Sequence, residues 1–377
     1  MSAQRTARFS TLPRVPGRPY LTIELATVRR NVAALRSSLP AAEIRYAVKA
    51  NPADPVLRLL AGLDCAFDVA SVGEVDLCTA AGIDGSLMTF GNPLKKPAEI
   101  AYAFARGVRR FTFDTAAGLA AIAENAPGAS VECRIAPAFP SSVTPFGHKF
   151  GCAPDDAAGW LTEAARLGLR ADGVAFHVGS QQLDPTAWEI GIRCARDIFG
   201  TVPTLTTLNL GGGIPIPYIA PVPGVEVVGA AITDALGRYF PALPHVVLEP
   251  GRAVVGSAGT LSCEVVSVRN GTDGSRWVYL DIGRYGGLAE TENEYIRYRL
   301  RTSRDGDAVA DAVVAGPTCD GDDVLYRRYP LPVTLRPGDL VEIDGAGAYT
   351  TSYSSSFNGF KPLATQFVEV ADAVTTR

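Results

Sequence analysis

Apolar positions follow two rhythms along the first two thirds of the chain. From Thr27 to Leu39, the residues Val28, Val32, Leu35 and Leu39 return at helical spacing and predict a helix. Beyond it, short apolar runs alternate with longer stretches of helical character. The runs are IRYAV (44–48), CAFDVA (65–70), SLMTFG (86–91), RRFTFD (109–114), SVECRIA (130–136), GVAFHV (173–178), TLNLGG (206–211) and HVVLEP (245–250). Each has the length of a strand. The segments between them carry helix punctuation. Asp54-Pro55 reads as the N-cap and first residue of a helix that Gly62 closes. Ser71-Val72-Gly73-Glu74 has the form of a capping box, and Gly82 ends that helix. Residues 154–168, 186–199 and 225–240 are long enough for three more. Eight such alternations predict an α/β fold, an eight-stranded parallel (β/α) barrel over residues 26–255. A doubly wound open sheet is the competing arrangement.

After residue 255 the texture changes to a second, mostly β domain, residues 256–377. GTLSCEVVSVRNGTDGSRWVYLDIG reads as two strands joined by an NGTDG turn, and LPVTLRPGDLVEIDGAGAYTT as strand, turn, strand. A helix is expected there only near 322–328. The strand-like segment at 18–25, YLTIEL at its core, precedes the first helix and is expected to join that sheet.

Composition narrows the function classes. A chain of 377 residues accommodates a barrel of about 250 residues plus a smaller domain. With 47% apolar and 20% charged residues it reads as soluble and globular, and a net charge of -4 points to neither nucleic acid nor an anionic membrane as partner. No apolar run reaches the roughly 18 residues of a membrane span. The opening MSAQRTARFS has basic residues but no apolar core, so no secretory signal is expected. Seven scattered cysteines without a C-x-x-C pair argue against a disulfide framework and against zinc, and no metal site is expected. Buried thiols in a reducing compartment, the cytoplasm, are the simpler expectation.

In a parallel barrel the reactive groups gather at the C-terminal strand ends. Those ends carry Lys49, then Asp68 with Ser71 beyond, then His177 with Ser180, then Gly211-Gly212-Gly213, and finally Glu249-Pro250-Gly251-Arg252. Singly, each has a plain reading: a surface lysine, a core histidine, a tight turn, a structural ion pair. Jointly they suit pyridoxal 5'-phosphate. An amine in apolar surroundings can form a Schiff base with an aldehyde. A carboxylate can keep a pyridine nitrogen protonated, an imidazole can stack on the ring, and bare glycine amides can close around a phosphate.

The segments YAVKANP, FDVASVGEV, FHVGSQ, GGGIP, EPGR, GPTCDGDD and GAYTTSY with FNGF, in that order, closely resemble the fold-type III pyridoxal-phosphate decarboxylases of basic amino acids. These share the alanine racemase-like barrel plus β domain. The nearest match is the short bacterial ornithine/lysine branch. The resemblance implies that Lys49 bears the cofactor, with Asp68 beside it, His177 against the ring and Glu249 on the ring nitrogen. It places Ser180, Gly211, Gly212, Gly213, Gly251, Arg252 and Tyr349 around the phosphate. It further implies a homodimer with shared active sites. There Cys319, which reprotonates the substrate α-carbon, and Asp320, which binds the distal amine, enter the neighbouring subunit's site. Glu294 and Tyr285 fall at further substrate-binding positions. The implied reaction is decarboxylation of ornithine to putrescine, with lysine to cadaverine also possible, because one methylene is worth only about 1–3 kcal/mol. PSSVTPFGHKFG departs from the pattern, with His148 where the bacterial relatives tend to carry arginine.

Alternatives remain at this level. One is a decarboxylase of a modified or conjugated diamino acid. Another, of a different class, is a cofactor-less regulatory homologue, although Lys49, His177, Glu249 and Arg252 are all retained. A diaminopimelate decarboxylase is disfavoured because TCDG replaces the CESGD-type segment expected there. A racemase should offer a second base opposite the lysine.

Overall fold

The computed structural model describes residues 19–369 except 141, 147 and 148, so His148 lies outside the described residues. The chain divides into two compact units. One is Leu25–Ile216 with Pro221–Val255; the other comprises the described residues of Met1–Glu24, Pro217–Ala220 and Gly256–Arg377. In chain order, β1 (Tyr20–Glu24) belongs to the second unit and α1 (Leu25–Ser38) opens the first. Val28, Val32 and Leu35 of α1 are buried, as their spacing requires.

The first unit is a closed barrel. Its strands are β2 (Ala42–Ala47), β3 (Ala66–Val69), β4 (Met88–Phe90), β5 (Arg110–Phe113), β6 (Ser130–Arg134), β7 (Arg170–Ala175), β8 (Thr207–Asn209) and β9 (His245–Leu248). One strand falls in each of the eight apolar runs. The pairing of Ala42 with Val246 joins β2 to β9 and rules out the open sheet. Helices alternate with the strands: α2 (Asp54–Ala61), α3 (Val72–Ala80), α4 (Pro97–Ala105), α5 (Ala116–Asn125), α6 (Pro154–Arg166), α7 (Ala187–Thr201), α8 (Val225–Tyr239) and the single turn α9 (Arg252–Val255).

The helix entries refine the sequence reading. The N-cap of α2 is Ala53, not Asp54, because Ala53 keeps an extended backbone (φ -66, ψ 135) and Asn51 Oδ1 accepts its N–H; Asp54 is already helical. Ser71 does cap α3, its Oγ accepting from Glu74 N–H at 3.3 Å. Glu74 reaches back one residue further than a regular capping box, to Ala70 N–H at 2.7 Å.

Strand alternation separates two environments. Tyr46, Phe67, Phe90, Phe111, Phe113 and Phe176 are fully buried, and each such side chain contributes about 1.5–3 kcal/mol on leaving water. The intervening positions include Arg45, Asp68, Thr89, Thr112, Glu132 and Asn209, also buried but polar.

The second unit is a β-sheet. It contains β10 (Gly259–Asn270), β11 (Arg276–Leu280), β12 (Arg299–Thr302), β13 (Val309–Ala315), β14 (Val324–Pro332), β15 (Leu340–Asp344) and β16 (Ala364–Val368). The order is β12-β15-β10-β11-β13-β14, with β1 pairing both β10 and β16. The helix expected near 322–328 is instead the start of β14. Pairing with β13 overrides local preference there. Tyr326 fixes the strand further, its hydroxyl accepting from Tyr298 N–H at 2.8 Å and donating to Ile296 O at 3.1 Å. No helix among the described residues is long and apolar enough to cross a membrane.

Candidate active site

β2 runs out into a 3-10 turn, Val48–Ala50, that carries Lys49. Val48 and Ala50 are buried and pin the turn, while the lysine side chain stays 45% exposed. Its ammonium donates to Asp68 Oδ2, at the end of β3, at 2.8 Å. The other Asp68 oxygen, Oδ1, is buried and accepts no hydrogen bond from the described residues. Such an oxygen is costly to keep charged, and the adjacent cation offsets that cost.

β7 delivers His177 two residues past its last paired position, Ala175. Its Nδ1 accepts from Gly179 N–H at 3.0 Å, so the neutral ring carries its proton on Nε2. Burial, then the Arg134 and Lys49 cations, hold this imidazole well below its usual 6.5. The site therefore presents a neutral, flat ring.

Beyond β8 the glycine turn fits no other residue type. Gly211 has φ +66, and a Cβ there would stand 2.2 Å from the Phe176 carbonyl oxygen. At Gly212 a Cβ would lie 2.7 Å from the Glu249 carbonyl oxygen and 3.2 Å from His177 Nε2. Two buried amides in the turn after His177 clamp these glycines. Gln182 N–H donates to Gly213 O at 2.9 Å, and its Nε2 to Val178 O at 2.9 Å. Gln181 pairs with both main-chain groups of Ile216, at 2.7 and 3.0 Å. At the end of β9, Arg252 Nη2 donates to Ser180 Oγ at 3.3 Å, and Gly251 O accepts the first N–H bonds of α9.

Glu249 Oε1 accepts from Asn209 Nδ2 at 2.6 Å. Burial, then the negative charges of Asp68 and Glu132, push its carboxyl up to about 7 against the opposing pull of Asn209 and Lys49. Lys49, Asp68, His177, Ser180, Gly211–Gly213, Glu249, Gly251 and Arg252 are thus gathered at one end of one barrel.

Several groups at this rim escaped the sequence reading. Arg134 closes β6 and bears on Glu249, Asp68 and Asp114. It ends a run already recognised as a strand, and that position was its signal. Lys95, just past β4, donates to the carbonyl oxygens of Asn92 and Thr112, each at 2.5 Å. Gln181 closes the FHVGSQ segment, whereas Gln182 had only its place beside a strand end to mark it.

Tyr285, Glu294, Cys319, Asp320 and Tyr349 belong to the β unit. Cys319 is exposed, and both its N–H (3.0 Å) and its Sγ (3.3 Å) donate to Asn358 Oδ1. The Tyr285 ring packs on Phe357 at 4.8 Å, and burial, then the nearby Asp320 carboxylate, push its hydroxyl above the usual tyrosine range. Buried Asp323 staples the base of this loop: Oδ1 accepts from Arg284 N–H, and Oδ2 from Thr318 N–H and Oγ1. Both oxygens of Glu294 are engaged, one by Arg297 Nη1 at 2.5 Å and the other by Arg327 N–H at 2.9 Å. Asn293 and Glu294 stand at φ +50 and +54, a strained pair for residues with side chains. Tyr349, also at positive φ (+57), stacks obliquely on Tyr353.

Residues 25–256 match the family described as pyridoxal-dependent decarboxylase, pyridoxal binding domain. A lysine/ornithine decarboxylase of Selenomonas ruminantium is 38% identical over 350 residues, covering 91% of this chain and 87% of that protein. The crystal structure of lysine decarboxylase from the same organism superposes with a TM-score of 0.85 at 36% identity, covering 94% of this chain and 93% of that one. That of a Vibrio vulnificus lysine/ornithine decarboxylase complexed with cadaverine gives 0.84 at 32% identity, covering 94% and 95%.

Proposed function

We propose that this chain, which belongs to the pyridoxal-dependent decarboxylases, removes the α-carboxyl group of ornithine or lysine as carbon dioxide and releases the diamine. What carries this reading is the convergence at one barrel rim of Lys49, Asp68, His177, the glycine turn, Glu249 and Arg252. The residues fit the cofactor on three structural grounds. Asp68 Oδ1 is a buried acceptor with no donor among the described residues. The glycine turn runs too close to the Phe176, Glu249 and Gly179 carbonyls to carry a side chain, so a phosphate there would meet bare main-chain N–H groups. The carboxyl of Glu249 is half-buried among other acids, where it readily holds a proton.

When bound, pyridoxal phosphate supplies an aldehyde that links covalently to amines and a ring that takes up the electron pair left by bond cleavage. The chain's own groups do the rest. Lys49 is the covalent anchor, and Asp68 holds its ammonium until it reacts. Glu249 would face the ring nitrogen. His177, neutral and fixed by Gly179 N–H, would lie against the ring face. The amides of Gly211–Gly213, with Ser180 Oγ and Arg252, would hold the phosphate. Gly212→Ala is expected to raise the cofactor Kd, read by fluorescence titration, roughly 5- to 150-fold, because overpacking costs about 1–3 kcal/mol. An unchanged Kd would take the glycine turn out of cofactor binding.

At the substrate end, Cys319 Sγ returns a proton to the α-carbon and Asp320 receives the distal ammonium. With Glu294 already neutralised by Arg297, Asp320 carries the larger share of recognition. We place both residues in the site of a second copy of the chain, as a homodimer. The loop bearing them is bordered by exposed Tyr353 (53%), Phe357 (40%) and Phe360 (43%), an apolar patch of the kind subunits cover. Release of carbon dioxide from a panel of ornithine, lysine, arginine, diaminopimelate and conjugated diamino acids tests the substrate class; no turnover of the first two refutes it. Asp320→Asn should raise KM for ornithine about 10- to 150-fold, the worth of a charge-assisted hydrogen bond of about 1.5–3 kcal/mol. An equal loss with norleucine, which has no distal amine, would contradict that role.

A further inference from the structure

Glu249 is the upper end of a polar chain that threads the barrel lumen. At the lower end His245 Nε2 lies 2.9 Å from Glu43 Oε2. Arg45 Nε donates to Glu43 Oε1 at 2.7 Å, and its Nη1 to Glu132 Oε1 at 2.6 Å. Asn209 Nδ2 then donates to Glu132 Oε2 at 2.8 Å and to Glu249 Oε1 at 2.6 Å. β2 and β6 stand opposite each other in the ring of eight, so the Arg45–Glu132 contact can run only through the interior. Arg45, Glu132 and Asn209 are at most 1% exposed.

A lumen filled by apolar side chains would hold the barrel at least as well, because desolvation of a buried ion pair cancels most of its attraction. The chain therefore calls for a reason other than stability. Asn209 supplies it. Its Oδ1 accepts from Gly211 N–H at 3.0 Å, the first residue of the glycine turn. Both amide hydrogens must then face the two carboxylates; a flipped amide would turn its oxygen onto two acceptors. Asn209 thus fixes Glu249 and the glycine turn together, and Glu132, neutralised on its far side by Arg45, fixes Asn209.

We propose that Glu132 and Asn209 are positioning residues that hold the Glu249 carboxyl in one orientation toward the cofactor ring and keep a second negative charge beside it. The inference rests on the assignment of Glu249 made above. The other charged groups that bear on this carboxyl are Asp68 from β3, Lys49 beyond β2 and Arg134 from β6. Only Glu132 is tied to it through a shared donor.

The test uses the full chain. In cofactor-free protein, with glutamate carbons isotopically labelled, the infrared carboxyl band that disappears in Glu249→Gln is followed against pH. Glu132→Gln should move its midpoint toward acid by about one pH unit. An Arg45→Met/Glu132→Met double variant, which refills the lumen with apolar groups, should stay folded and keep its melting temperature. Its kcat should fall about 10- to 100-fold with KM little changed. An unmoved midpoint in Glu132→Gln, or wild-type kcat in the double variant, overturns the proposal. Wild-type turnover in Glu249→Gln overturns it differently, by removing the Glu249 assignment itself, and so separates the two failures.

Discussion

Lys49→Ala is expected to give a folded protein that no longer retains pyridoxal phosphate after borohydride treatment and denaturation, and whose turnover falls by about a thousandfold or more. The side chain is 45% exposed and fills no core volume, so little packing is lost. Its removal does take from buried Asp68 the cation hydrogen-bonded to it, at a cost of about 1–3 kcal/mol. Stability and activity should therefore part: a modest fall in melting temperature beside a collapse of turnover. The same variant probes assembly. If the chain assembles as the proposed homodimer, the Cys319→Ala and Lys49→Ala proteins should each be nearly inactive. Random mixing puts half the chains in hybrids, and each hybrid holds one intact site if Cys319 crosses the interface. About a quarter of wild-type activity should then return. No recovery on mixing places Cys319 in its own subunit's site or outside the chemistry.

The second large effect concerns Glu249. Glu249→Gln should lower kcat by roughly 10²- to 10⁴-fold while the cofactor still binds. It should also change how the cofactor-free protein responds to pH. The folded carboxyl titrates near 7 against a usual 4.5, raised first by burial and then by Asp68 and Glu132. Between those values the folded chain holds a proton that the unfolded chain has released. The stability this confers is complete below about 4.5 and is lost as pH rises through about 7. His177 acts in the opposite sense. Held below 6.5, chiefly by burial, it contributes stability above that value that drains away as pH falls. The difference between wild type and Glu249→Gln isolates the carboxyl. At pH 8 the variant should be the more stable by at most about 3 kcal/mol, and near pH 4 the two should converge. A difference independent of pH would mean that Glu249 titrates as an ordinary carboxyl.

Much of the barrel was legible because its physics is local. Apolar runs such as CAFDVA and GVAFHV bury one face of a strand against helices, and caps such as Ser71 satisfy the first N–H groups of the helix that follows. Strand ends in a parallel barrel share one rim, so the sequence alone groups Lys49, Asp68, His177 and Glu249. The failures have equally physical causes. The helix expected at 322–328 rested on local preference alone, and β13 supplies the hydrogen-bond partners that make residues from Val324 onward a strand. Asp54 looks like a cap, but the chain turns one residue earlier, at Ala53. Asp323 lies in the quoted GPTCDGDD, yet its task of stapling that loop to Arg284 spans 39 residues of sequence.

By itself, then, the order of residues determined which barrel segments are strands and which helices, and it marked Lys49, Asp68, His177 and Glu249 as strand-end residues of one rim. Both follow from periodicity and from the shared direction of the strands. What only tertiary structure decided is which polar side chains meet across the lumen. Arg45, Glu132 and Asn209 each sit at an inward position of a recognised strand, so alternation marks them as facing in. Alternation cannot say which strand lies opposite which, because that depends on closure of the ring, and hydrogen bonds of 2.6–2.8 Å form only once β2, β6, β8 and β9 surround a common axis.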